Sequence, residues 1–272
     1  MIKCYWRHFC CAVALALVAG LISGCSPGSP DVFQGYVEGE YVYVGSPLGG
    51  TLTNLAVARG DEVKCGQLLF ILEHGSEADA LKSAKENLTQ AQANLKLSQS
   101  ILARRKELRA NNGVISPEEL EQAQMQRDAN AAEVDSLQAA VNKAKWSFDQ
   151  KEQSAPTNAF VQDTLYRQGE YVSAGNPVVV LLPPTNIKTR FFVPQEMLPR
   201  IKTGETVTVT FDGAAHAYSA TVSYISTQNE FTPPVIYNRE NRSKLVYMIE
   251  ARFSPADAPD LRPGQPVDVK IP

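Results

Sequence analysis

The side chains best suited to chemistry in this chain are five cysteines and three histidines, and their placement decides what each can do. Cys4, Cys10 and Cys11 sit in an apolar leader, Cys25 follows directly on its end, and Cys65 alone remains as a thiol in the body of the chain. One thiol forms no intramolecular disulfide, so stability must come from packing, for which a chain of this length is adequate. Cys65 stands in a glycine turn where only Lys64 would lower its pKa, so a tolerated small residue is the simpler reading than a reactive thiol. His8 lies in the leader, and His74 and His216 are far apart, without cysteine or histidine at ligand spacing; no metal site is expected. His74, next to Glu73, reads as solvated loop. Serines are plentiful, yet neither a Gly-x-Ser-x-Gly elbow nor a Gly-x4-Gly-Lys-Ser/Thr phosphate loop occurs. No catalytic centre is expected, and any nucleotide hydrolysis must belong to a partner.

The remaining chemistry is acylation. Lys3 and Arg7 precede an apolar run, Phe9 to Ile22, too short to span a membrane comfortably, which is the pattern of a signal peptide. The run ends in Ile22-Ser23-Gly24-Cys25, small residues directly before a cysteine, as in the bacterial lipobox, where the thiol is acylated and the chain is cut ahead of it. Lipidation of Cys25 is the expectation, and an unmodified cysteine behind an ordinary signal peptide is the alternative. Ser26-Pro27-Gly28-Ser29-Pro30 would supply a tether, and several acyl chains on one residue anchor stably, at about 0.8 kcal/mol per buried methylene. Loss of the leader takes Lys3 and Arg7 from the 26 basic residues and nothing from the 29 acidic ones, leaving 24 against 29. A mildly acidic mature chain argues against nucleic acid as a partner.

The elements that must position these groups begin with Val32 to Val44, where Tyr36, Val37, Tyr41, Val42, Tyr43 and Val44 predict a strand with a bend at the punctuating glycines. Short strands joined by glycine turns follow in Gly49 to Leu55 and Arg59 to Leu72. The second of these has a copy. Gly169 to Leu181 repeats its order of glycine, acid, valine, glycine, amide and apolar run, and Gly60 to Gly169, Val63 to Val172 and Gly66 to Gly175 share one offset. Two half-motifs therefore bracket an insertion.

That insertion is strongly periodic. Leu81, Leu88, Leu95 and Leu102 lie at heptad spacing, with Ala84 and Ala91 in the second seam position before Ser98 weakens it. On the return, Leu120, Val134, Val141 and Phe148 share one seam position, interrupted by Arg127, and Ala123, Leu137 and Ala144 share the other, interrupted by Asn130. Asn111-Asn112-Gly113 ends the first helix, and Ser116-Pro117-Glu118-Glu119 opens the second as cap, first-turn proline and acidic first turn. So short a turn joins only an antiparallel hairpin. Helices of about 35 residues, at roughly 1.5 Å each, make an arm on the order of 50 Å long. From Lys188 on, strands are predicted at 189–193, 206–211, 218–225, 244–253 and 267–271, separated by Lys202-Thr203-Gly204-Glu205 and Arg262-Pro263-Gly264-Gln265, in a small antiparallel barrel or a sandwich.

A signal with a lipobox, two lipoyl-like half-motifs split by a coiled-coil hairpin, and then a barrel resembles, over nearly the whole mature chain, the HlyD-type periplasmic adaptors, or membrane fusion proteins. Asn229 to Pro234 and Asn241 to Tyr247 are further similar to the shorter adaptors associated with ABC exporters, and on that resemblance a full membrane-proximal domain after the barrel strands is not expected. The implied fold is α+β, elongated and multidomain. Its expected parts are a lipoprotein signal peptide (1–24), a tether (25–31), a lipoyl-like β-sandwich with an N-terminal strand (32–74 and 153–184), a coiled-coil hairpin (75–152) and a small antiparallel β-barrel (185–272).

The resemblance implies an adaptor on the periplasmic side of the envelope, anchored by lipid in the inner membrane. Its implied partners are an inner-membrane exporter of ABC type, an outer-membrane channel and further copies of itself in a homo-oligomeric ring. In many members an arginine, a leucine four residues on and a serine seven further on, at the hairpin tip, engage the channel. Arg104, Leu108 and Ser116 match most closely, with the serine eight residues after the leucine because of one extra residue near Asn111-Asn112. Helix surface and seam for Arg104 and Leu108, and a helix cap for Ser116, are the simpler alternatives. Two other classes remain open. A lipoyl- or biotinyl-type carrier would present a modified lysine on a tight turn, but the hairpin replaces that turn and Lys82 and Lys85 fall on its first helix, so no cofactor is expected. A free-standing outer-membrane scaffolding lipoprotein would fit Ser26, rather than aspartate, after Cys25.

Overall fold

β-Branched and aromatic runs between glycine turns become strands throughout the computed structural model, which describes residues 32–113, 115–214, 216–231 and 245–271. In chain order these are β1 (Val32–Gly39), β2 (Val42–Gly45), β3 (Gly50–Leu55), β4 (Glu62–Val63) and β5 (Leu68–Leu72). The helices α1 (Gly75–Asn112) and α2 (Pro117–Asp149) come next. They lead to β6 (Glu152–Ser154), β7 (Ala159–Thr164), β8 (Tyr171–Val172) and β9 (Pro177–Leu182), and then to β10 (Ile187–Pro194), β11 (Thr206–Thr210), β12 (Tyr218–Phe231), β13 (Leu245–Phe253) and β14 (Pro266–Lys270). The signal peptide, Cys25 and the tether lie outside the described residues. The chain divides into two compact units, Glu40–Pro184 and the flanking stretches up to Gly39 and from Thr185.

The unit Glu40–Pro184 holds two four-stranded sheets, ordered β2-β9-β7-β4 and β6-β5-β3-β8. Leu52, Leu69, Phe70, Leu72, Val161, Val172, Val179 and Leu181 form its core; fully burying such a side chain contributes about 1.5–3 kcal/mol. The sequence repeat is visible as paired geometry. Gly60 and Gly169 both take left-handed backbone, φ 94° and 93°, which glycine adopts without steric cost. Each donates its N–H to the strand that precedes the opposite half-motif, Gly60 to Val161 O of β7 at 2.9 Å and Gly169 to Leu52 O of β3 at 2.8 Å. The two halves of the sandwich thus lock each other through one turn used twice.

The hairpin leaves this unit between β5 and β6. Leu88, Ala91, Leu102, Ala123 and Val141 are buried along its seam, while Leu81, Leu95, Val134 and Leu137 are half-buried, as two helices without a third layer require. Glycine ends α1, with Gly113 left-handed at φ 62° and its N–H on Arg109 O. Ser116 opens α2 through a reciprocal capping box with Glu119.

The second unit is a closed barrel, β1-β10-β13-β12-β11-β14, filled by Val37, Phe191, Val193, Val207, Val209, Ile249, Ala251 and Val269. Closure decides between the barrel and the sandwich in favour of the barrel. It also corrects two expectations. Residues 32–39, assigned from sequence to the lipoyl-like domain, belong to the barrel: β1 pairs with β10 over Gly35–Gly39 and with β14 over Val32–Tyr36. Without them β10 and β14 would each present an unpaired edge. In addition, β12 continues past Ile225 to Phe231, because Asn229, Glu230 and Phe231 find partners in Tyr247, Val246 and Leu245 across irregular register.

On the barrel's outward face, Glu38, Lys188, Arg190 and Glu250 form a neutral ladder. Lys188 Nζ is 2.8 Å from Glu250 Oε2, and Arg190 Nη2 is 2.9 Å from Glu38 Oε2 and 3.0 Å from Glu250 Oε1. Burial pushes the Glu250 carboxyl up, but hydrogen bonds and charge from Lys188 and Arg190 more than reverse this, leaving it below its ordinary value.

Candidate functional site

The far end of the hairpin carries the three residues singled out from sequence. Arg104 and Leu108 sit one helical turn apart on α1, both exposed, Leu108 at 41%. Leu108 stands outside the seam, because the heptad positions that continue from Ser98 and Leu102 fall on Arg105 and Arg109. Ser116 is engaged as a cap. Its hydroxyl accepts from the Glu119 N–H at 3.1 Å, and its own N–H donates to Glu119 Oε2 at 3.0 Å. Arg104 and Leu108 therefore offer a free donor fork and an apolar knob on one face, whereas Ser116 is occupied with holding the turn.

Two features of this region escaped the sequence reading. Leu97 (61% exposed) and Ile101 (39%) extend Arg104 and Leu108 into one stripe along α1, at helical spacings of four, three and four. The i, i+4, i+7, i+11 pattern was present in the sequence, masked by the stronger heptad seam beside it. Cross-helix polar bonds were the second feature. Arg105 Nη1 donates to Glu119 O at 2.9 Å, and Asn130 Nδ2 donates to Asn94 O at 3.3 Å. These satisfy seam positions where a coiled coil would carry apolar residues, and Ser98 satisfies its own hydroxyl on Leu95 O at 2.8 Å. Charge follows the helix dipoles, with Arg109 in the last turn of α1 and Glu118 and Glu119 in the first turn of α2.

Other candidates fall elsewhere. Cys65 is exposed, its N–H donating to Asn158 Oδ1 and its thiol to Pro156 O. His74 is not simply solvated: it precedes α1, half-buried, with its ring 5.0 Å from that of Phe148 and Nε2 3.8 Å from Glu152 Oε1. His216 packs on Tyr218. Among the described residues, no group of three or more His, Cys, Asp or Glu side chains could hold a metal ion, and no helix is long and apolar enough to cross a membrane. Lys82 and Lys85 are exposed on α1, and the hairpin occupies the connection where a carrier would present its lysine.

An arm of two helices opens a pseudo-symmetric β-sandwich, a six-stranded barrel makes up the second unit, and known proteins share this build. Residues 80–151 match the family described as RND MFP, alpha-helical hairpin domain. A UPF0194 membrane protein of Yersinia pseudotuberculosis is 28% identical over 322 aligned residues, covering 96% of this chain and 97% of its own. The Escherichia coli K12 protein YdhJ is 26% identical over 206 residues, covering 76% and 72%. The membrane fusion protein Spr0693 of Streptococcus pneumoniae R6 shares the fold, with a TM-score of 0.64 at 18% identity over 89% of this chain and 98% of that one. MacA of Actinobacillus actinomycetemcomitans does so with a TM-score of 0.59 at 19% identity, over 89% and 78%. The chain is thus similar to the HlyD-like membrane fusion proteins in the broad sense.

Proposed function

We propose that the chain is the non-enzymatic periplasmic adaptor of a tripartite export system, bridging an inner-membrane exporter and an outer-membrane channel. One observation carries this reading: the hairpin interrupts the sandwich at a single point between β5 and β6 and keeps an apolar stripe on its outer half, Leu97, Ile101 and Leu108, that its own seam leaves exposed. An arm serving only its own packing has no use for that stripe, whereas a partner helix would cover it. Arg104, in the middle of the stripe, supplies a bidentate donor for a carbonyl or carboxylate on that partner. The exporter is proposed to be of ABC type, on the similarity of residues 229–234 and 241–247 to the shorter adaptors. Further copies of the chain would complete a ring, because one hairpin cannot enclose a conduit.

The anchor is proposed to be the acylated Cys25, holding the chain at the inner membrane. Cys25→Ala, with cleavage preserved by an ordinary signal peptide, is expected to release the protein into the soluble periplasmic fraction, and retention of that variant in the membrane would rule out the lipid anchor. A photo-crosslinking amino acid in place of Leu108 or Ile101 in cells is expected to capture an outer-membrane channel protein. Export that continues while neither position captures one would overturn the bridging role.

A further inference from the structure

The root of the arm holds a buried cation that the fold does not need for chain connection. Lys151 lies two residues beyond the end of α2 and is 5% exposed. Its N–H donates to Phe148 O at 3.1 Å and its C=O accepts from Leu72 N–H of β5 at 2.8 Å, so its backbone already joins helix to sheet. The side chain turns instead to a third segment. Its Nζ donates to Gly49 O at 2.7 Å, in the connection between β2 and β3, and lies 3.0 Å from Glu77 Oε1 in the first turn of α1. A Cβ on Gly50 would come within 3.1 Å of that ammonium, so the glycine keeps its pocket open.

Ser46, from the same connection and only 1% exposed, donates its hydroxyl to Gln150 O at 2.6 Å. The terminal carbonyl of α2 is thereby capped by the sandwich rather than by a glycine or by water. The ion pair also suits both helix dipoles, with an ammonium at the C-terminal end of α2 and a carboxylate at the N-terminal end of α1. Burial pushes the Glu77 carboxyl up, but hydrogen bonds from Lys151, its own backbone N–H and Ser76, together with the Lys151 charge, more than offset this and leave it below its ordinary value.

We propose that Lys151 is the positioning residue of the arm: its clasp on Gly49 and Glu77, backed by the Ser46 cap, fixes the direction in which the hairpin leaves the sandwich. Two chain crossings, at Glu73 and at Lys151, make a joint that can hinge about the line between them. A contact from the separate segment 46–49 removes that freedom. A buried ion pair is otherwise a weak source of net stability, since apolar residues of similar volume commonly replace one at little cost. Direction of the arm is what this pair supplies and an apolar pair would not. Its use lies in the bridging role and rests on that reading, whereas the test below reads the arm in the purified protein and is indifferent to any channel.

Spin labels at Asn54→Cys in β3 and Lys96→Cys in α1, in the full mature chain with Cys65→Ser, report arm direction by pulsed electron resonance. The native chain is expected to give one narrow distance distribution. Lys151→Met combined with Glu77→Gln, which leaves no charge buried alone, is expected to at least double its width while the unfolding midpoint of the sandwich stays where it was. Ser46→Ala, which keeps the ion pair, is expected to widen it less. An unchanged width in the double variant would overturn the proposal, and so would loss of the sandwich fold, which would make the pair a stability element instead.

Discussion

Ser116 shows how one side chain can be read for two roles and separated by substitution. Ser116→Ala removes the capping box and is expected to cost about 1 kcal/mol of local helix stability, seen as faster amide exchange in the first turn of α2. Ser116→Asp keeps a capping acceptor at the same place. If the residue only caps, the aspartate variant behaves as the native chain in export and the alanine variant loses order at the tip alone; a hydroxyl contact with a partner would make both defective. At the barrel, Gly35 carries a different constraint, because a Cβ there would meet Arg190 O at 2.4 Å and Phe191 Cβ at 2.7 Å. Gly35→Ala must push β1 off β10 and is expected to destabilise the barrel by about 1–3 kcal/mol in denaturant titration.

Glu250 sets an acid limit for the same barrel. Its carboxyl titrates below the ordinary 4.5 in the folded chain, so the unfolded chain takes up the proton first as pH falls. The stabilisation from Lys188 and Arg190 is complete above about that ordinary value and is lost as pH drops through the lower folded one. Denaturation midpoints should be flat from pH 8 to 6 and fall on the acid side. Glu250→Gln should lower the plateau and shallow the acid limb; an acid limb as steep as the native one would assign that dependence to other groups.

The hairpin as an element is uneven along its length. Near the root the seam is Leu81, Leu88, Ala91, Val141 and Ala144, whereas the outer part relies on Ser98, Arg105, Arg127 and Asn130 and on bonds such as Arg105 to Glu119 O. Amide protection should therefore decline from root to tip, and Leu102→Ala, the last buried leucine of the outer seam, should cost about 2 kcal/mol and deepen that gradient. Uniform protection along both helices would contradict it. This element was the most legible in the sequence, since heptads, Gly113 and the Ser116-Pro117-Glu118-Glu119 cap are local signals that local geometry obeys. The stripe Leu97, Ile101 and Leu108 was written in the same residues but hidden by periodicity, because one helix can carry two apolar faces and only contacts tell which is covered. Lys151 gave no signal at all: its partners Gly49 and Glu77 are distant in sequence, and a lysine after a helix ordinarily reads as solvated.

For the whole molecule the decisive long-range fact is the place of β1. Its alternation read correctly as a strand, but nothing in Val32 to Gly39 names β10 and β14 as partners, so proximity in sequence assigned it to the wrong unit. The repeat from Gly60 to Gly169 could be found because its second copy is also a sequence pattern; the closure of the barrel has no such copy. Deleting residues 32–39 is expected to unfold the barrel, lowering its ellipticity and exposing its core to protease, while the unit Glu40–Pro184 keeps its own melting transition. Simultaneous loss of both transitions would mean that the two units fold as one.

The placement of β1 also orders assembly in time. The barrel takes its strands from the two ends of the described chain, the sandwich from the segments just inside them, and the helices from the uninterrupted middle. Contacts nearest in sequence form fastest, so helical signal should appear first on refolding, sandwich protection next and barrel protection last. β1 emerges before β14 in synthesis, and until β14 is made the edge of β1 that it will cover is open and in need of shielding.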